Sequence, residues 1–317
     1  MPIFDMSIDK LKKYKGSTPR PDDFKNFWND GLKEISHLDP EPEYRKIDFP
    51  ALNAEVYDLF FTGVKNARIH ALHIRPKNIK TPGPAIIEFH GYSGSHGDIA
   101  PKLKWIQQGY SVFSLDVRGQ GGKSEDPGGV IGNTLRGHII RGIEYSQSLL
   151  FRQVFLDGVL LVRLASACSF VDKKSLATTG GSQGGGLALA VAALCPEIGR
   201  CAAQFPFLGD YYRAWELNCG SAFEEIREWF RRFDPEHKRE KEIFNRLGYI
   251  DVHNLAPMIK AQVLTCVCLE DNSVPPSTVF SIYNNIKSKK EIVIYPDFKH
   301  ESILGWEDRV FCFLSEL

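Results

Sequence analysis

The 317-residue chain carries no surplus of either charge, since Lys plus Arg and Asp plus Glu each total 39. Without a basic stripe it has little to offer a phosphate backbone or an anionic bilayer, which excludes nucleic acid and membrane surfaces as main partners. No run of about eighteen apolar residues occurs, so no membrane-spanning helix is expected. The first residues, MPIFDMSIDKLKKYKG, place acidic groups early and lack the apolar stretch of a secretory signal, which predicts a cytoplasmic location. Cys-x-x-Cys pairs and zinc-type Cys/His spacings are also missing, and neither a metal nor a cofactor is expected. The seven cysteines, Cys168, Cys195, Cys201, Cys219, Cys266, Cys268 and Cys312, are odd in number and lie mostly in apolar segments. They read as reduced core residues rather than a disulfide framework.

What is present is a strand–helix rhythm. The first 50 residues are polar with helical patches, among them DDFKNFWNDGLKEI, where Asp22 or Asp23 could cap a helix with Phe24, Phe27, Trp28 and Leu32 on one face. AEVYDLFFTG and ARIHALHIRP partly alternate apolar and polar residues, as strands do. PGPAIIEFHGYSG and YSVFSLDVRGQG are nearly continuous apolar runs closed by glycine, the pattern of buried parallel strands. KLKWIQQG reads as a helix between them, and FLDGVLLVRLASACSF as an amphipathic helix. The stretch from about 211 to 255 is helical, aromatic and charged, and interrupts the rhythm. It resumes with AQVLTCVCLED, a helix from Pro275 to Ile286, the strand EIVIYP and a last helix from about Trp306. The expectation is one α/β domain over residues 1–317: a mostly parallel sheet covered by helices on both faces, an N-terminal helical extension (about 1–50), and a helical insert (about 211–255) over the C-terminal edge.

The sharpest motif is Gly180-Gly181-Ser182-Gln183-Gly184-Gly185-Gly186, a G-x-S-x-G between an apolar strand and an Ala/Leu-rich helix. That context is the nucleophile elbow of the α/β-hydrolase fold, where residues two before and two after the serine pass so close that neither tolerates a bulky side chain. A serine hydroxyl needs a base to become nucleophilic, and the chain order in this fold is serine, acid, histidine. Of the three histidines after Ser182, His237 and His253 lie in polar or charged stretches, whereas His300 follows the strand EIVIYP. Asp271, after AQVLTCVCLE and before a Pro-Pro pair, is the favoured acid, with adjacent Glu270 its main competitor. Asp297, Asp210 and Asp251 are further rivals. Two backbone donors should face the oxyanion: the N–H of Gln183, next after the nucleophile, and that of Tyr92, in the loop after an earlier strand. His90 reads as structural, and Arg118, within Arg118-Gly119-Gln120, as a brace between loops. Tyr92 and Phe207 are candidate walls of an acyl pocket.

With these residues in place, the whole sequence resembles the acetyl xylan esterase and cephalosporin C deacetylase family, carbohydrate esterase family seven. The marks are FDMSIDKLKKYKG and PDDFKNFW near the start, Arg118-Gly119-Gln120, Gly180 through Gly186, Asp271 followed by Pro275-Pro276-Ser277-Thr278-Val279-Phe280, and His300-Glu301. The resemblance implies metal-independent deacetylation of small substrates such as acetylated xylo-oligosaccharides and cephalosporin C. It gives Ser182, Asp271 and His300 the triad roles and Tyr92 and Gln183 the oxyanion hole, and implies a homo-oligomer, a hexamer with enclosed sites. Two departures stand out: Ser148-Leu149-Leu150-Phe151 replaces a run of tyrosines before Arg152, and Cys268 stands where glycine is usual. The competing expectations are a non-catalytic hydrolase-like binding protein, and a peptidase or lipase of the same fold. The charges of Arg227, Glu228, Arg231, Arg232 and Asp234 do not suit a lipase lid.

Overall fold

The computed structural model describes residues 4–127 and 134–317. Among the described residues nine strands form one sheet: β1 (Glu43–Ile47), β2 (Ala54–Thr62), β3 (Arg68–Pro76), β4 (Gly83–Phe89), β5 (Ser111–Leu115), β6 (Val171–Gly181), β7 (Ile198–Gln204), β8 (Gln262–Cys268) and β9 (Lys290–Tyr295). Their order is β1-β2-β3-β5-β4-β6-β7-β8-β9. Pairing is antiparallel from β1 to β5 and parallel from β5 to β9. The partial alternation of the early strands marks the antiparallel part, and the continuous apolar runs mark the parallel part, buried on both faces.

The helices are α1 (Ile8–Leu11), α2 (Phe24–Ser36), α3 (Leu103–Ile106), α4 (Leu150–Ala167), α5 (Gln183–Leu194), α6 (Tyr211–Glu216), α7 (Glu224–Phe233), α8 (Glu240–Ile250), α9 (Val252–Leu255), α10 (Pro276–Asn285) and α11 (Trp306–Ser315). On one face, α3 and α11 bury Trp105, Trp306, Val310 and Leu314 against Ile86, Val112 and Leu264. On the other, α2, α4, α5 and α10 build the larger core. This gives the expected two-faced, mostly parallel α/β architecture.

Several local expectations change. Asp23 sits at the N-cap of α2 but makes no side-chain cap bond; its carboxylate accepts the Tyr249 hydroxyl instead. Phe24, Phe27, Trp28 and Ile35 of that helix are buried, and the Trp28 indole N–H donates to the Tyr249 carbonyl at 2.9 Å. Within the stretch read as a helical extension, residues 43–47 form the edge strand β1, while residues 1–3 lie outside the described residues. Helix α4 is not amphipathic: fifteen of its eighteen residues are buried, because it is packed between the sheet, α2, α5 and α8. Strand β7 was not foreseen, since IGRCAAQ lacks the β-branched and aromatic residues that mark a strand. All seven cysteines are free and five are buried, but Cys312 is exposed on α11 rather than in the core.

Arg118 leaves the end of β5 and is 1% exposed, as is Asp157 of α4. Its Nε and Nη2 donate to Asp157 Oδ2 and Oδ1 at 2.6 and 2.7 Å, and Nη2 also reaches the Val64 carbonyl at 3.1 Å. The Val64 N–H donates back to Asp157 at 3.1 Å. Burial pushes the Asp157 carboxyl up, and the neighbouring guanidinium opposes it. This is the loop brace expected of Arg118. Arg118→Ala should destabilise the fold by about 3–5 kcal/mol in urea unfolding, because the carboxylate would remain buried without its cation. Arg118→Lys should recover little of that loss, as an ammonium cannot make the two-toothed contact. Wild-type stability in both variants would refute the brace.

Candidate active site

The tip of β6 turns into α5 at Ser182, whose φ of +55° lies in a region that L-residues other than glycine seldom visit. The turn closes because its neighbours have no side chains. A Cβ on Gly180 would stand 2.5 Å from the Gly184 carbonyl oxygen, and one on Gly184 would collide with the Phe89 carbonyl at the end of β4. Three backbone bonds lock the residue: Ser182 N–H to the Gln204 carbonyl at 3.0 Å, and Gly186 N–H and Phe207 N–H to the Ser182 carbonyl at 3.1 and 3.0 Å. The side chain is thereby held clear of the helix.

His300 lies in the loop after β9, 118 residues from Ser182 in sequence. Its Nε2 is 3.0 Å from Ser182 Oγ, and its Nδ1 is 2.7 Å from Asp271 Oδ2. Assigning the ring proton to Nδ1 makes His300 donate to Asp271 and accept from the serine hydroxyl. Asp271 is fully buried, and its Oδ1 accepts the N–H groups of Ser273 and Val274, both at 2.8 Å. The carboxylate is therefore fixed before it meets the imidazole. Of the rival acids, Asp297 is exposed, and Asp210 and Asp251 are occupied at the insert with Tyr14, Ser17 and Thr18 and with backbone N–H groups. Glu270 gives its backbone N–H to the Phe298 carbonyl, and His300 meets Asp271 instead. His90 accepts the Val117 N–H at 2.9 Å, the structural part expected of it.

Gln183 lies against the loop that carries Tyr92, its Nε2 donating to the Gly91 carbonyl at 3.5 Å. Gln183 opens α5, so its N–H is among those the helix itself leaves unsatisfied. Its side chain pairs face to face with Gln120: Gln120 Nε2 donates to Gln183 Oε1 at 2.9 Å, and Gln183 Nε2 donates to Gln120 Oε1 at 3.0 Å. Gln120 Oε1 also accepts the N–H of Ser93, next to Tyr92, at 2.9 Å. One buried amide thus ties the two arms of the candidate oxyanion hole together. The ring of Phe207 stands 5.9 Å from that of Tyr92 and 4.5 Å from that of Phe223, which brings the two expected pocket walls together.

Three contributors were not read from the sequence. Gln120 stands in the sequence only as the third residue of the Arg118-Gly119-Gln120 motif. Glu225, on α7, accepts the Tyr92 hydroxyl. Phe205 has φ of +28° and holds its ring 4.5 Å from that of His300. A glycine cluster or an apolar run cannot announce such contacts; a polar residue inside an amphipathic helix gives no signal at all.

Among the described residues, His70, His96 and Asp116 form a group that could hold a metal ion, with ligand atoms within 4.8 Å of one another. Asp116 already bonds to both histidines. Asp116 faces His70 Nδ1 at 2.7 Å and His96 Nδ1 at 3.0 Å, and accepts the N–H groups of His96 and Lys123. Burial alone would raise the Asp116 carboxyl, but the bonds from His70 and His96 outweigh it and hold the group well below the usual range. The cluster acts as a brace under the loop that carries Tyr92.

Comparison with known proteins gives one consistent picture. The acetyl xylan esterase (AXE1) family matches residues 1–317. The acetyl esterase Axe7A of Xylanibacter ruminicola is 24% identical over 301 residues; the match takes in 93% of this chain but 66% of that protein's length. Among solved structures, acetyl xylan esterase 1 from Thermoanaerobacterium sp. JW/SL YS485 superposes with a TM-score of 0.95 at 49% identity, covering 98% of this chain and 99% of that one. The acetyl xylan esterase from Paenibacillus sp. R4 gives 0.94 at 33% identity, again over 98% and 99% of the two chains.

The acid can be tested directly. Asp271→Asn should lower kcat by about 10⁴-fold, because the amide stabilises the wrong imidazole tautomer. Glu270→Gln should leave esterase kinetics near wild type. The reverse pattern would transfer the acid's role to Glu270.

Proposed function

The chain belongs to the acetyl xylan esterase family, with the α/β-hydrolase fold, and on that premise we propose that it is a serine esterase removing acetyl groups from small acetylated substrates. The observation that carries the reading is the unbroken line from Ser182 Oγ through His300 to buried Asp271. Ser182 attacks the acetyl carbonyl while His300 takes its proton. The oxyanion of the tetrahedral intermediate rests on the N–H groups of Tyr92 and Gln183, where fixed donors lower the barrier without having to reorganise. His300 then protonates the departing alcohol, and in the second half activates water to release acetate. Asp271 holds the imidazole in the right tautomer and steadies its positive charge. No step in this sequence calls for a metal or a cofactor.

Tyr92 and Phe207 wall the acyl side, and the aromatic packing of Phe207 on Phe223 supports a pocket that resists longer chains. Acetylated xylo-oligosaccharides and cephalosporin C fit this scheme, since both present an acetyl ester to the same acyl half. A non-catalytic binder of this fold would not need the three side chains aligned, so no observation favours that alternative.

The same reading extends to the whole chain. Residues 1–317 are taken as one α/β domain with an extension (about 1–50) and an insert (about 211–255). The bonds of Tyr14, Ser17 and Thr18 to Asp210 at the start of the insert support it. Free cysteines throughout support a reducing, cytoplasmic compartment. Among the described residues no helix is long and apolar enough to cross a membrane. Leu135, Tyr145 and Phe233 are 74%, 71% and 67% exposed, large apolar side chains that support burial between copies in a hexamer.

Two measurements check this. p-Nitrophenyl acetate should be hydrolysed with a kcat/KM at least about a hundred-fold above that for the octanoate ester. Ser182→Ala should lower kcat about 10⁶-fold, and activity surviving that change would remove Ser182 from its role. Light scattering should give six times the chain mass; a monomer would reject the assembly and leave the chemistry standing.

A further inference from the structure

Glu225 is a buried carboxylate that the mechanism above does not use. It lies in the first turn of α7 and is 1% exposed. Oε1 accepts the hydroxyl of Tyr92 and the N–H of Gly137, the latter at 2.7 Å, and Oε2 accepts the N–H of Ile139 at 3.0 Å. The Tyr92 oxygen in turn accepts the N–H of His138 at 3.1 Å. Among the described residues no Lys or Arg is in ion-pair contact with Glu225, and its charge rests mainly on these hydrogen bonds, with Arg136 acting on it from farther away. Burial pushes the carboxyl up, and the bond from Tyr92 is the foremost influence opposing it. An anion in such a place is costly unless its acceptor capacity is filled.

We propose that Glu225 is a positioning residue for the oxyanion hole, acting through Tyr92, so that α7 of the insert belongs to the esterase machinery. This rests on the assignment of Ser182 and Tyr92 made above. A tyrosine side chain has two rotatable bonds, so fixing its oxygen at one end and its ring on the way constrains the backbone at the other. The ring is flanked by Phe207 at 5.9 Å and His138 at 5.0 Å, and the far end is held by Glu225. At the near end, the following N–H, that of Ser93, is held by Gln120, which also pairs with Gln183. Gln120 sets the spacing between the two donor segments, and Glu225 sets the orientation of the Tyr92 segment. A donor displaced by about 1 Å can lose roughly a hundred-fold in rate.

A merely structural Glu225 would hold α7 to residues 137–139 and leave Tyr92 indifferent. Tyr92→Phe separates the two cases, because it cuts the link to Tyr92 while leaving the bonds of Glu225 to Gly137 and Ile139. Kinetics with p-nitrophenyl acetate would be measured for Tyr92→Phe, Glu225→Ala, Glu225→Gln, the Tyr92→Phe/Glu225→Ala pair and Ser182→Ala, with melting curves for each. Tyr92→Phe and Glu225→Ala should each lower kcat roughly ten- to a hundred-fold with KM little changed. The pair should be no worse than the weaker single variant, since both cut one link. Glu225→Gln, which can still accept from Tyr92, should recover part of the loss. Folded Tyr92→Phe with wild-type kcat would overturn the proposal, as would losses that multiply in the pair. Should Glu225→Ala fail to fold, Tyr92→Phe decides by itself. Activity surviving Ser182→Ala would instead overturn the nucleophile assignment, whatever Tyr92 and Glu225 do.

Discussion

At the tip of β6 the chain reverses into α5 through a single residue, and the reversal depends on the missing side chains of Gly180 and Gly184. Any Cβ there would run into the opposing backbone of the turn or of β4. The strained φ of Ser182 follows from that packing, not from any preference of serine, and the bonds to Gln204, Gly186 and Phe207 sustain it. Three consequences follow together. The hydroxyl projects beyond the sheet, the N–H of Gln183 starts a helix and so stays available, and the close approach to Phe89 brings the His90–Tyr92 loop alongside. Two of the elements needed for acyl transfer are thus placed by one steric constraint.

The remaining parts arrive from strand ends. β8 and β9 lie parallel to β6 and β7, so the loops after them emerge at the same edge, and Asp271 and His300 meet there although 29 residues separate them. Parallel topology makes this possible: every strand points its C-terminus the same way, and the loops there converge.

That logic explains what could be read from the sequence. The elbow glycines, the buried runs of β4, β5 and β8, and the strand before His300 are local patterns with one physical cause each. β1 and β7 left no such pattern. EYRKI is an edge strand largely open to solvent and defined by its pairing with β2, and IGRCAAQ is central but carries Gly199 and Arg200 where a strand signal would want branched residues. Helix α4 misled in the other sense, because its few polar residues suggested a wet face. Asp157 is instead turned inward onto Arg118, and Arg163 gives its guanidinium to the Ile35 carbonyl at the end of α2. Within the site, Gln120 and Glu225 were hidden for a different reason. Each acts on a residue far away in sequence, 63 and 133 positions respectively; Gln120 stands in the Arg118-Gly119-Gln120 motif, which does not disclose its partner, and Glu225 stands in no motif.

The loops of this edge share one further device. Loop N–H groups lack a ladder and, when buried, need acceptors; buried carboxylates need donors. Here each need answers the other. Asp116 takes the N–H groups of His96 and Lys123, Glu225 those of Gly137 and Ile139, Asp271 those of Ser273 and Val274, Asp251 those of Asp210, Tyr211 and His253, and Asp210 those of Ser17 and Thr18. At Asp116, Glu225 and Asp251, where both oxygens accept backbone N–H groups, an amide keeps one acceptor but turns an NH2 toward an N–H, donor against donor, so Asn or Gln is not a neutral exchange there even where shape is preserved. The arrangement also accounts for how a site assembled from loops can be stiff. Its side chains are held by second residues whose own positions are set by backbone bonds, and a charge confined in low dielectric strengthens every one of those bonds. Rigidity that a helix or strand obtains from its own ladder is supplied to these loops by buried anions. The proposed oxyanion hole, whose donors must be in place before the charge forms, is where that rigidity would bear directly on rate.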